Sequence, residues 1–226
     1  MSRYTWLLDP GHGGIIDGVY QTAGKRSPAF PDGSVLYEGD FNRDVVRMIL
    51  NLCNGHMIDG TPYRRRRRRR RSGCLPPQIQ AIDVVDSLED ISLRKRVSRA
   101  NQIHKEKKNC IYVSVHANAF GNGKDFNSAA GVCTFHHYRS SGGLRLAESL
   151  QGHLASLTNF RNRGVRANDT WANFYVLRKT HMPAVLSENG FMTNFDDAIS
   201  LMDPKVREAI ANAHFAMIQE IEENGL

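Results

Sequence analysis

Four side chains in this sequence are of types that hydrolytic chemistry uses, and each stands beside a change in chain direction: His12, Glu38, His116 and Glu188. His12 lies within Asp9-Pro10-Gly11-His12-Gly13-Gly14, a glycine-rich turn after an apolar run, which exposes an imidazole at a strand's edge. A surface histidine would look the same. Glu38 opens a helical pattern, where a carboxylate can equally be a first-turn charge that complements the helix dipole. His116 closes the run Ile111-Tyr112-Val113-Ser114-Val115, a place that also suits a structural histidine. Glu188 follows Pro183-Ala184-Val185-Leu186-Ser187, and a carboxylate at the end of a buried strand needs a partner or a task, because burying a lone charge is costly. Two histidines and a glutamate hold a catalytic zinc with an open position for water, and a further glutamate can take the proton from that water. The glycines after Asp9 could instead cradle a phosphate, but no GxxxxGK[ST] pattern accompanies them.

The elements that must position these residues alternate in type. Short runs rich in β-branched and aromatic residues predict strands at Tyr4 to Asp9, Ala81 to Val85, Cys110 to His116, Gly131 to His136, Phe174 to Leu177 and Ala184 to Glu188. Between them, Asp40 to Cys53 places Phe41, Val45, Met48, Ile49 and Leu52 on one helical face, and Ser92 to Lys105 does so with Leu93, Val97, Ala100 and Ile103. Further helices are predicted at Gly143 to Leu157 and Pro204 to Glu223. This alternation predicts an α/β three-layer sandwich, with a twisted, mostly parallel mixed sheet flanked by helices. Sites in such sheets gather at the carboxyl ends of strands, where Asp9, His116 and Glu188 are expected to stand.

The length of 226 residues fits one domain spanning 1–226, interrupted by an insertion at about 54–77 that carries eight consecutive arginines, Arg64 to Arg71. Those arginines exceed the whole formal charge of +7, so the rest of the chain is nearly neutral and the basicity belongs to one segment, saying nothing about a binding face on the fold. Cys53, Cys74, Cys110 and Cys133 are far apart, form no metal-ligand pattern and read as free thiols. The first residues, Met1 to Leu8, lack a secretory signal, and no apolar run approaches the ~20 residues of a membrane span.

Seven blocks in order resemble one family. DPGHGG at 9–14, Glu38 ahead of a helix with Asn42, DISLRKRVSRAN at 90–101, YVSVHAN at 112–118, RGV at 163–165, FYVL at 174–177 and MPAVLSENGFMTN at 182–194 resemble the catalytic domain of the zinc N-acetylmuramoyl-L-alanine amidases of the Amidase_3 type. The resemblance runs from near residue 5 to near residue 220 and leaves out mainly the arginine-rich insertion. It implies that His12, Glu38 and His116 ligate one Zn²⁺ per chain and that Glu188 is the catalytic carboxylate. The implied substrate is peptidoglycan, cut between N-acetylmuramic acid and the L-alanine of the stem peptide. Asp9, Asn118 and Asn194 are candidates to orient the histidines, and His181 is a candidate substrate contact. Arg94, Arg96 and Asn101 are expected to stabilise their helix and its neighbours, or to add a polar group to the cleft.

The other readings are a zinc carboxypeptidase-like peptidase and a non-catalytic module binding cell wall or polyanions. Arg64 to Arg71 are expected to pair with anionic envelope polymers or lipids, and no specific nucleic acid is expected. The N-terminus suggests a protein made in a cytoplasm and acting on the wall, as a phage lysis enzyme or part of a phage-like particle, or else a mature secreted or periplasmic form.

Overall fold

Consecutive apolar residues at Trp6, Leu7 and Leu8 make β1 (Thr5–Pro10) a strand buried on both faces, as a central strand of a parallel sheet must be. A small hairpin follows, β2 (Ile15–Ile16) and β3 (Val19–Tyr20), and then α1 (Glu38–Cys53). The chain continues through β4 (Gln80–Asp83), α2 (Leu93–Lys107), β5 (Cys110–Asn118), β6 (Val132–His137) and α3 (Ser141–Leu157). It ends through β7 (Asn162–Asn168), α4 (Tyr175–Lys179), β8 (Ala184–Phe191), α5 (Phe195–Met202) and α6 (Pro204–Asn224). The computed structural model describes residues 2–58, 60, 78–168 and 173–226. The arginine run and most of the expected insertion, with Cys74, lie outside the described residues.

The six-stranded sheet has the order β4-β1-β5-β8-β6-β7, and within it the β6–β8 pairing alone is antiparallel. Side-chain alternation sends Trp6, Leu8, Ile111, Val113 and Val115 into a core with α1, α3 and α6. Leu7, Tyr112 and Leu186 face the other way, toward α2 and α4. The result is the expected three-layer α/β sandwich.

Several elements differ from the sequence reading. Phe174 to Leu177, expected as a strand, begins α4, where Val176 and Leu177 pack with Phe135; so short an apolar run carries too few residues for its period to show. The edge strand β7 was not anticipated because its sequence, NRGVRAN, is polar and lacks the alternation of a half-buried strand. Helix α5 was missed too, although Asn194 caps it by accepting a hydrogen bond from the Asp197 N–H at 3.0 Å. Strand β8 runs on to Phe191, so Glu188 sits inside the strand and not at its end. Asn189 keeps the ladder going by pairing with Val132. From α6, buried His214 donates through Nδ1 to the Ile210 carbonyl at 2.8 Å, which leaves Nε2 to accept from the Ser187 hydroxyl on β8 at 2.9 Å. Burial pushes this imidazole down to about 4, so it is neutral, as that arrangement requires.

Cys53, Cys110 and Cys133 are free and buried. Among the described residues, no helix is long and apolar enough to cross a membrane.

Candidate metal centre

The glycines around His12 bring its turn within reach of β5. His12 has φ +65°, a left-handed conformation that costs a residue with a Cβ and calls for a reason. A Cβ on Gly11 would lie 2.1 Å from the His116 ring, so only glycine lets the first turn pass beneath that imidazole. On the other side of the turn, a Cβ on Gly39 would lie 1.8 Å from the Gly13 carbonyl oxygen, so glycine after Glu38 allows the start of α1 to touch the loop. Asn42, one helical turn beyond Glu38, donates to the Gly11 carbonyl at 3.0 Å. The hairpin contributes Tyr20, whose hydroxyl accepts from the Gly39 N–H at 2.9 Å, and the loop after it contributes Thr22, whose hydroxyl accepts from the Gly13 N–H at 2.7 Å.

These contacts bring together residues distant in sequence. His12 Nε2 lies 3.3 Å from Glu38 Oε2, and His116 Nδ1 lies 3.0 Å from Glu38 Oε1. The imidazoles meet edge to face, 5.2 Å between centroids, and one ligand atom from each of the three residues falls within 4.8 Å of the others. Atoms bound at about 2.0–2.2 Å to one tetrahedral ion stand roughly 3.4 Å apart, close to these spacings, so the donor set fits Zn²⁺. Glu38 is 2% exposed. Burial alone would raise its pKa, but the two imidazoles outweigh burial and hold it down to about 2. His116 is pushed up in return: burial would lower it, but Glu38, with Glu188 and Asp9, outweighs burial.

Glu188 stands directly across from His116 in the parallel β5–β8 register, so both side chains share a sheet face. It is buried, and its Oε2 has no hydrogen-bond partner among the described residues. Burial pushes its carboxyl up to about 8; His116 and Lys25 pull the other way, and the Glu38 charge reinforces the rise. Lys25 belongs to the loop before α1 and is fixed there by the Glu38 N–H, which donates to its carbonyl at 3.0 Å.

Beneath this group lies a second buried cluster. Arg96 of α2 donates to Asp9 Oδ1 at 2.6 Å, to the Pro10 carbonyl at 2.6 Å and to the His12 carbonyl at 2.8 Å. The Tyr112 and Ser114 hydroxyls fill the other Asp9 oxygen at 2.6 and 2.8 Å. The Asp9 carboxyl is held below its ordinary value because Arg96, Tyr112, His116 and Ser114 together outweigh burial.

The expectations about orienting groups need correction. Asp9 acts on the backbone of the His12 turn through Arg96 and forms no hydrogen bond to an imidazole. Asn118 accepts from its neighbour, the Ala119 N–H, and Asn194 is the cap of α5. The residue that holds the His116 backbone is Asn189, donating to its carbonyl at 2.9 Å. Arg96, expected to stabilise its helix and its neighbours, ties that helix to the His12 turn. Asn101 accepts from the His181 N–H at 2.9 Å, just ahead of the amino end of β8, so His181 stands at the far edge from Glu188. The position of Asn42 was legible from its i+4 spacing to Glu38; that of Asn189 was not.

The fold and its edge cluster define a class: an α/β sheet with a His–Glu–His set fit for a metal at the carboxyl ends of its parallel strands. The profile of the N-acetylmuramoyl-L-alanine amidases of the Amidase_3 type matches residues 7–220, and the chain belongs to that family. It is 29% identical over 211 residues to the N-acetylmuramoyl-L-alanine amidase LytC of Bacillus subtilis (strain 168), covering 92% of this chain and 34% of that protein. It is 31% identical over 223 residues to the endolysin of Bacillus phage SPP1, covering 98% of this chain and 66% of the relative. The chain thus spans about a third of LytC and about two thirds of the endolysin. The crystal structure of N-acetylmuramoyl-L-alanine amidase from Clostridium difficile 630 superposes with a TM-score of 0.73 at 25% identity, covering all of both chains.

Proposed function

We propose that this chain is a zinc-dependent amidase that hydrolyses the bond between the lactyl carbonyl of N-acetylmuramic acid and the first L-alanine of the peptidoglycan stem peptide. The observation that carries this reading is the convergence of His12, Glu38 and His116 beside a buried carboxylate, Glu188, with a spare oxygen. A zinc ion held by His12, Glu38 and His116 would polarise the scissile carbonyl and make the attacking water more acidic. Glu188 accepts the proton of that water and delivers it to the alanine nitrogen as the C–N bond breaks. The Arg96 and Asn189 contacts fix the backbones of His12 and His116, so both imidazoles are aimed before substrate arrives.

The carboxypeptidase-like and non-catalytic readings have less support: the matched family is one of amidases, and a pure binding module has no use for Glu188. We also propose the whole chain as one catalytic unit with an insertion at about 54–77, acting on the cell wall. Tethering of Arg64 to Arg71 to anionic envelope polymers belongs to the same proposal, and it predicts that envelope binding weakens as salt rises.

Mass spectrometry of fragments released from purified peptidoglycan, with and without a chelator, tests the assignment. Free stem peptides beginning with L-alanine, lost on chelation and restored by Zn²⁺, are the expected products. Cleavage at any other bond, or full activity in metal-free protein, overturns it.

A further inference from the structure

The face of the sheet that carries His116 and Glu188 continues beyond them. Cys133 on β6 is opposite Glu188, and Phe135, two residues on and therefore on the same face, is opposite Arg166 on β7. Arg166 thus shares the Glu188 face from two strands away, about 10 Å between strand axes at the usual spacing, and level with Leu186, two residues before Glu188 on β8. Its charge is felt at the Cys133 thiol, which faces Glu188 across the β6–β8 pair.

The β6–β7 ladder is irregular at this point. Asn162 pairs with Val132 and Val165 with Thr134, so β7 uses one residue more than β6 between the two pairs. The extra length is Arg163-Gly164, opposite Cys133, and Gly164 takes φ +78° to allow it. Bulges of this kind re-aim side chains and are frequent beside active sites. Here the bulge sets Arg163 with its guanidinium 5.0 Å above the Phe191 ring, where it donates to the Ala130 carbonyl at 3.2 Å. Among the described residues neither Arg163 nor Arg166 has a carboxylate within ion-pair distance, whereas Arg96 and Arg207 both do. Arg166 is exposed, so its charge is open to a ligand lying along this face of the sheet.

We propose that Arg166, with Arg163 beside it, is the carboxylate-binding subsite for the leaving peptide, and makes the enzyme prefer stem peptides with a free carboxylate on the residue after the first alanine. This inference rests on the amidase reading above. Once the scissile amide is placed at Glu188, a carboxylate on the next residue lies up to about 7 Å further along an extended peptide. That is within reach of a long arginine side chain standing on the same sheet face. The planar fork of arginine matches a carboxylate with two parallel hydrogen bonds and gains little from a neutral carboxamide in its place.

The test compares two soluble N-acetylmuramoyl tripeptides that differ at one group: the α-carboxyl of the second residue is free in one and amidated in the other. The zinc-loaded wild type should favour the free acid about tenfold in kcat/KM, mainly through KM. Arg166→Gln should bring that ratio close to one while cleavage of the amidated substrate stays within about twofold. Arg166→Lys should restore part of the preference. Because Arg166 is exposed, the melting temperature of each variant should match the wild type. A wild type indifferent to amidation, or an Arg166→Gln variant slowed equally on both substrates, overturns the subsite and leaves the amidase reading standing. Failure of the wild type to cleave either substrate removes the amidase reading and the subsite with it.

Discussion

Asp9 and Glu188 are carboxylates buried on one face of one sheet, near the same edge, yet they are provided for in opposite ways. Every acceptor position that matters on Asp9 is taken, by Arg96 on one oxygen and by Tyr112 and Ser114 on the other. Glu188 keeps one oxygen without a partner. Their proton affinities diverge accordingly, Asp9 below its ordinary value and Glu188 raised to about 8. A saturated buried network fixes backbone in place, and an unsaturated one retains the capacity to exchange a proton. The Asp9 cluster does the first for the His12 turn, and Glu188 is left free to do the second.

The contrast is open to three measurements. Glu188→Gln keeps the shape and removes the exchangeable proton, so turnover should fall about 10²-fold or more while bound zinc, measured by elemental analysis, stays at one per chain. Loss of metal together with activity would make Glu188 a ligand and erase the contrast. Arg96→Leu leaves the Asp9 charge buried without its main partner. Denaturant unfolding should show a loss of about 3 kcal/mol or more. A loss below ~1 kcal/mol would mean that the network is not what holds the turn.

The third measurement is a dependence on pH, read on metal-free protein. The folded Glu188 carboxyl binds its proton up to about 8, against an ordinary value of 4.5, so between these limits the folded state holds a proton that the unfolded chain releases. Stability should therefore decline as pH climbs from 4.5 toward 8, and Glu188→Gln should flatten that decline. Asp9 acts with the opposite sign: its contribution is present above 3.8 and is lost as pH falls below that value. Equal slopes for wild type and Glu188→Gln across that range would show that the carboxyl is not held protonated.

The inventory of chemical groups, the larger strands and helices and the sheet-with-helices architecture were readable from the chain, because they rest on short-range patterns. Alternation in β5 and β8 and the helical period of α1 and α2 are properties of ten or so neighbouring residues. Where the pattern was too short, at α4, or masked by arginine, at β7, the reading failed. The tertiary structure decided what touches what. That Gly11 must lack a Cβ because the His116 ring lies over it, that Arg96 reaches from α2 to the His12 carbonyl, and that Arg166 shares a face with Glu188 all depend on strand register between segments far apart in sequence. Register is fixed by the packing of both sheet faces at once. No local stretch of sequence contains that information, so His12, Glu38, His116 and Glu188 could be put forward as candidates from their residue types and the family resemblance, whereas the network around them could not.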